Sequence, residues 1–297
     1  MDFVSKTLIA KGWSEDKKYR AVTAAGETYL LRISPPEKYE KVANIVAMMN
    51  RTAELGIPMC LPVEFGRCDE GVYLVQTWVD GEDARDVIAR YTPAKQYAYG
   101  YEAGQILAKI HSQSAPADAV PWLKRYGDKI DRKLKGYAAC PLQYDNGDLF
   151  VNYVTAHRHL IEGRPQAVHH GDYHVGNLMI DKNGKLIVID FDRYDHGDPW
   201  EEFNRIVWCI AESHPFASGM VNGYFADEVP IEFWQLLALY ITTNTLSSLP
   251  WAIPFGAEEI ATMRAQAKDV LTWYDNMTRV VPTWYIDPET AKSLQEE

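Results

Sequence analysis

The chain has 297 residues, 47% of them hydrophobic and 24% charged, with a formal net charge of −11. This globular composition fits one large domain or two moderate ones; no apolar run approaches the ~20 residues that span a bilayer, and "MDFVSKTLIAKGW" lacks the basic and long apolar regions of a signal peptide. The acid excess speaks against a nucleic-acid binder, which needs a basic face, and four scattered cysteines, Cys60, Cys68, Cys140 and Cys209, fit neither a zinc motif nor a disulfide framework, so a reducing cytoplasm is the expected compartment.

Residues 17–33, "KKYRAVTAAGETYLLRI", read as a β-hairpin turning at Gly26. "PPEKYEKVANIVAMMNRTAELG" reads as a helix opened by Pro35 and Pro36 and ended by Gly56. Val42, Ile45, Val46 and Met49 form its apolar face. Two more strands flank the "CDEG" turn in "PMCLPVEFGRCDEGVYLVQTWVDG". Past residue 79 the pattern turns helical. "TPAKQYAYGYEAGQILAKIHS" has Thr92 as N-cap and Pro93 in the first turn, and 121–140 and 147–163 read as two further helices. After residue 200 three helical patterns remain, at 199–214, 230–249 and 256–277. Trp234, Trp251, Trp273 and Trp284 read mainly as core, with some left to line a pocket. The expected organisation is a mixed N-terminal lobe, residues 1–79, and a larger helical lobe, residues 80–297, with a ligand cleft favoured between lobes.

The stretch "HHGDYHVGNLMIDKNGKLIVIDFDRYDHGDPW", from His169 to Trp200, carries six aspartates and four histidines. Its histidines lack the spacing and cysteine partners of a zinc site. "LMID-KNGK-LIVID" is a predicted hairpin with an Asn-Gly turn. Asp172 and Asn177 precede its first strand and Asp190 follows its second, so the hairpin returns Asp190 toward Asn177. Two oxygen ligands suit Mg²⁺, which takes one or two side chains plus substrate phosphates. A carboxylate apart from the metal can orient a hydroxyl and accept its proton. Asp181, Asp192 and Asp195 read as turn or solvent residues, with Asp192 the nearest of them to a supporting role.

The ordered pair "HGDYHVGN" and "VIDFDRYDHGDPWEEF" resembles the HGDxxxxN and IDxxxxxxGDPxxD signature of the aminoglycoside phosphotransferase family, which is similar to choline, homoserine and fructosamine kinases and, more distantly, to protein kinases. The resemblance covers most of the chain and implies an α+β, bilobal protein-kinase-like fold. It implies Asp172 as catalytic acid, Asn177 and Asp190 as Mg²⁺ ligands, and His170 as a buttress of the loop. Asp198 is expected to support the fold. Ser14 matches the loop over the phosphates of ATP (or GTP), and Trp78 and Val79 match the hinge that holds adenine. Arg32 stands where the family has its phosphate-pairing lysine; an arginine can bind phosphate bidentately. Glu40, with Glu37 as rival, is expected to pair with it.

The implied activity is Mg·ATP-dependent transfer to a hydroxyl of a small molecule, an aminoglycoside-like antibiotic first and a choline-, homoserine- or fructosamine-type metabolite second. A non-catalytic nucleotide-binding module is the reading from another class, and the intact Asp172, Asn177 and Asp190 speak against it. From Asp198 onward 15 acids face five Lys/Arg, a net −10. That imbalance suits a cationic acceptor, with Glu201, Glu202, Glu212, Asp227 and Glu228 as candidate contacts, although an acidic surface also serves solubility. Glu202 aligns with the last acid of the GDPxxD signature, where it would brace a helix start. No nucleic-acid or membrane partner is expected.

Overall fold

A computed structural model describes residues 1–10 and 15–294; Ser14 lies outside the described residues. The strands are β1 (Ser5–Leu8), β2 (Lys17–Val22), β3 (Thr28–Ser34), β4 (Pro62–Cys68), β5 (Gly71–Thr77), β6 (Gly81–Asp83), β7 (Ala167–His169), β8 (Leu178–Asp181), β9 (Leu186–Val188) and β10 (Asp195–Gly197). The helices are α1 (Tyr39–Ala53), α2 (Ala84–Val87), α3 (Pro93–His111), α4 (Trp122–Ala138), α5 (Gly147–His157), α6 (Ile206–Glu212), α7 (His214–Tyr224), α8 (Ile231–Ala252), α9 (Ala257–Trp273) and α10 (Pro288–Ser293). No helix among the described residues is long and apolar enough to cross a membrane.

The chain divides into two compact units, Met1–Asp86 with Gly176–Tyr194, and Val87–Val175 with Asp195–Glu297. The first unit is built on an antiparallel sheet of order β1-β2-β3-β5-β4. Period-two alternation decides what each face carries. Ala21, Leu31, Ile33 and Val75 pack on one side with Tyr19, Tyr29 and Tyr73. Val72 and Leu74 meet Val42 of α1 on the other. The β2–β3 register sets Lys18 directly opposite Arg32. A second sheet, β6-β8-β9, carries the predicted Asn-Gly hairpin. Asp181 closes its turn by accepting from the backbone N–H of Asn183 and of Lys185, each at 2.8 Å. The pairing of β6 with β8 is what joins residues 176–194 to the first unit rather than to the helices around them in sequence.

The second unit is mostly helical. α8 is apolar over most of its surface, with Phe233, Leu237, Leu239, Tyr240, Leu246 and Leu249 all buried, as a central helix requires. The helical pattern expected over 199–214 is instead a 3-10 segment, Glu201–Arg205, followed by α6, and α7 begins at His214. Thr92 caps α3 as expected, accepting from the Lys95 N–H at 3.3 Å.

α3 and α7 approach backbone to backbone. A Cβ on Gly100 would lie 2.0 Å from the Phe216 carbonyl oxygen, and one on Gly104 2.1 Å from that of Met220. Reciprocally, a Cβ on Gly219 would meet the Tyr97 oxygen at 2.2 Å and one on Gly223 the Tyr101 oxygen at 2.1 Å. Two glycines four residues apart on each helix thus form one flat seam, as in other small-residue helix contacts. Main chain on both sides leaves no flexible atom to give way. Gly219→Ala should therefore cost ~3 kcal/mol of stability, the upper end for overpacking. Gly136→Ala on α4, where a Cβ meets nothing within 4 Å, should be neutral or stabilising by up to ~1 kcal/mol. Urea unfolding of both variants checks this; equal midpoints would disprove the seam.

Candidate active site

The loop from His170 to Val175 leads out of β7 and is fixed by one buried carboxylate. Glu202 accepts the backbone N–H of His170 at 3.0 Å and that of Gly171. Its Oε2 also meets His111 Nε2 at 2.9 Å, and His111 Nδ1 meets the Tyr224 hydroxyl at 2.9 Å. His111 ends α3 and Tyr224 ends α7, so the glycine seam sets where this acid is held. Burial alone would raise the Glu202 carboxyl; the hydrogen bond from His111 and the adjacent imidazoles outweigh it and bring the acid down to about 2. Burial in turn pushes the His111 imidazole down. A neutral His111 donating from Nε2 to an ionised Glu202 satisfies both rings and acid. Gly171 adopts φ +88°, a conformation that an L side chain adopts only with strain.

Asp172 is part-buried in this loop. Its Oδ1 lies 3.2 Å from Arg205 Nε and 3.7 Å from His174 Nε2. Its backbone N–H meets His170 Nδ1 at 3.3 Å, which gives the loop histidine a bracing position. Asp198 is fully buried: Arg164 grips it through Nε at 2.7 Å and Nη2 at 2.9 Å, the Tyr240 hydroxyl donates at 2.5 Å, and the Trp200 N–H donates at 3.0 Å. With its oxygens occupied by protein donors, Asp198 ties α8 to the β10 turn.

In the first unit, Asn177 precedes β8 and Asp190 follows β9 by two residues, and at this open end of the hairpin the Ile189 N–H donates to the Asn177 carbonyl at 3.0 Å. Asp190 sits in the left-handed region, φ 64°. Arg32 is buried, and its carboxylate partners are Asp16 at 2.6 Å, Asp190 at 3.3 Å, and Asp192. This corrects the expected pairing: Glu40 and Glu37 are both exposed, because their helix turn presents them to solvent rather than to the sheet. Burial raises the Asp16 carboxyl, but the Arg32 charge outweighs it and holds the acid below its usual range. Lys18, opposite Arg32 on β2, reaches Asp190 at 3.5 Å. Sequence reading missed both Lys18 and Asp16, although the hairpin count from the Gly26 turn places residue 18 opposite 32. Trp78 and Val79 follow β5 and are part-buried; the Arg20 guanidinium lies 5.7 Å from the Trp78 ring.

The carboxylate clamp has a pH signature. Glu202 titrates near 4.5 when unfolded and near 2 when folded. A depressed acid contributes stability fully above the unfolded value and loses it as pH falls toward the folded one, here up to about 3 kcal/mol. Glu202→Gln should thus lower stability by about 3 kcal/mol at pH 7, and the gap to the unaltered protein should shrink as pH falls from 5 toward 3. Urea midpoints of both proteins across that range check it; a pH-independent gap would refute the ionised clamp.

A protein-family model described as a phosphotransferase enzyme family matches residues 6–234. Among solved structures, a thermostable mutant of aminoglycoside phosphotransferase APH(4)-Ia in ternary complex with AMP-PNP and hygromycin B superposes with a TM-score of 0.67 at 16% identity, over 91% of this chain and 94% of that one. The amicoumacin kinase hAmiN, in complex with AMP-PNP, Ca²⁺ and Ami, gives 0.65 at 15% identity over 93% and 90%. A choline/ethanolamine kinase family protein from Mesorhizobium loti gives 0.62 at 18% identity over 99% and 92%. No curated protein matches the sequence significantly. The structural likenesses establish the α+β kinase-like fold, and the family match spans well over half of the sequence: this chain belongs to the phosphotransferase enzyme family.

Proposed function

We propose that this phosphotransferase moves the γ-phosphoryl group of Mg·ATP to a hydroxyl of a small molecule. The observation that carries the reading is the order Asp172, Asn177, Asp190, with the Asp172 loop clamped by Glu202 and with Asn177 and Asp190 flanking one hairpin that the Ile189–Asn177 backbone bond closes. The AMP-PNP bound in two structural neighbours supports a nucleotide substrate. Their acceptors and the choline/ethanolamine kinase family of the third support a small hydroxyl compound, without singling out an aminoglycoside.

On this reading Asp172 is the catalytic base. As the acceptor oxygen bonds to the γ-phosphorus, the Asp172 carboxylate takes its proton. The bond from that phosphorus to the β–γ bridging oxygen breaks, and ADP leaves with the electron pair. Arg32 offers a buried guanidinium for phosphate oxygens, and Trp78 and Val79 supply the adenine contacts. Asn177 and Asp190 would hold Mg²⁺, since their donors are oxygens only, which suits a hard cation; bound there it would neutralise phosphate charge. Lys18 and Arg32 lie beside the acid of Asp190, at 3.5 and 3.3 Å.

Asp172→Asn should lower transfer by ~10³-fold, within the range for loss of a general base, while AMP-PNP affinity changes less than threefold. Near-normal turnover would sink the assignment. Asn177→Ala and Asp190→Ala should each raise the Mg²⁺ concentration at which AMP-PNP binds half-maximally, by about tenfold for a lost metal ligand. Calorimetric titration with AMP-PNP at stepped Mg²⁺ reads this without turnover; an unchanged Mg²⁺ requirement in both variants would place the metal elsewhere.

A further inference from the structure

Arg32 is a buried cation, its side chain only 5% exposed, and Asp16, Asp190 and Asp192 share it. They do not meet it in the same way. Asp190 faces Nη1 at 3.3 Å and Asp192 faces Nη2, the two tips of the guanidinium fork. Asp16 accepts from Nε, the nitrogen on the stem side, at 2.6 Å. It is also the most enclosed of these acids: its side chain is 9% exposed, against 31% for Asp190 and 20% for Asp192.

The hairpin explains why Asp16 stands there. β2 and β3 pair Lys17 with Ile33 and Lys18 with Arg32. Continuing that register by one residue sets Asp16 opposite Ser34. Side chains alternate across a strand, so Asp16, Lys18, Arg32 and Ser34 share one face. Asp16 is then a diagonal neighbour of Arg32, a separation that so long a side chain can span. The acid is itself braced. The buried Ser34 side chain hydrogen-bonds its carboxylate, and Lys38 Nζ lies 3.5 Å from its Oδ1. Helix α1 offers no substitute: its buried residues, Val42, Ile45, Met48, Met49 and Thr52, include no acid.

We propose that Asp16 is a positioning residue for the nucleotide: by holding Nε it sets the plane in which the Arg32 fork meets phosphate oxygens. The guanidinium is planar, so an acceptor at Nε fixes the whole group and leaves both tips directed away from the stem. The inference rests on the kinase reading above, and every residue it uses belongs to the first unit. Its sign separates it from plain charge neutralisation. An acid that only neutralised Arg32 would, on removal, leave the cation more positive and tighten phosphate binding. An acid that orients Arg32 leaves the guanidinium free to turn when removed, and phosphate binding weakens.

Calorimetry with Mg·AMP-PNP and with adenosine, on the unaltered protein and on Asp16→Ala, reads that sign. The expected result is an AMP-PNP affinity weaker by about tenfold, the scale of one hydrogen bond to a charged group. Adenosine affinity should change by less than about twofold, since adenosine brings no phosphate to the fork. Ser34→Ala keeps every charge and removes one brace of Asp16; it should weaken AMP-PNP by about threefold, the scale of a neutral hydrogen bond, and spare adenosine. In an Arg32→Met background, adding Asp16→Ala should change AMP-PNP affinity by less than about twofold, because the acid acts through the residue already removed. AMP-PNP affinity unchanged or tighter in Asp16→Ala overturns the inference, and so does an equal loss for AMP-PNP and adenosine, which marks general damage. Should Asp16→Ala fail to fold, Ser34→Ala decides alone, and an unchanged AMP-PNP affinity there overturns the inference. Absence of AMP-PNP binding by the unaltered protein overturns the kinase reading and this inference with it.

Discussion

One buried carboxylate organises the second unit. Glu202 is fully enclosed, and an enclosed charge is tolerable only when its oxygens are met by donors. Those donors come from two places: the backbone of His170 and Gly171, and the ring of His111. The His111 ring is itself held by Tyr224. Since His111 and Tyr224 end the two helices of the glycine seam, the spacing of two main chains determines where the acid stands, and the acid determines the path of the loop that carries Asp172. Replacing the glycine at 171 with a larger residue would strain the same loop from the other side, because φ +88° there suits glycine. A packing rule thus reaches the proposed base through three hydrogen bonds.

In the first unit the organising charge is Arg32. Setting Lys18 directly across from it puts two cations on one face of adjacent strands, a repulsive arrangement in isolation. Asp16, Asp190 and Asp192 resolve it. An arginine at this place keeps its charge when buried, whereas a lysine would lose it more readily, as Lys133 illustrates in the other unit, where burial pushes the ammonium down to about 7. Arg32 also brings its own acids with it: the residue two past Asp190 is an aspartate, so "DFD" supplies a partner where a glycine would have offered none.

Local signals carried most of the legible fold. The Gly26 and Asn183–Gly184 turns, the Thr92 cap and the apolar stripe of α1 each depend on residues a few positions apart, and each element lies where those signals put it. Elements whose reason is distant were not legible. β6, β7 and β10 are three residues long and exist through partners far along the chain. α7, "HPFASGMVNGY", is rich in small residues and buried along much of its length, so it shows no amphipathic period. The same separation hid parts of the site. His111 and Glu202 are 91 residues apart, and only the fold makes them neighbours. Glu40 followed from a family pattern, while Asp16 follows from where the β2–β3 hairpin begins.

Charge shows the same contrast between sum and place. The acids after residue 197 outnumber the bases by ten, yet many of them, Glu258, Asp269 and Glu289 among them, are exposed. Water and salt screen such charges beyond about 8 Å at physiological ionic strength. Arg205 and Asp172 are partly shielded by protein, where the effective dielectric is lower and each charge reaches further. A ligand bound beside Asp172 therefore responds to the few nearest side chains and hardly to the total. Net charge describes how the protein behaves toward bulk solution; the charge met beside Asp172 is set by its own neighbours, Arg205 at 3.2 Å and His174 at 3.7 Å, and by which acids have already been taken, Glu201 by Lys129 and Glu202 by the loop.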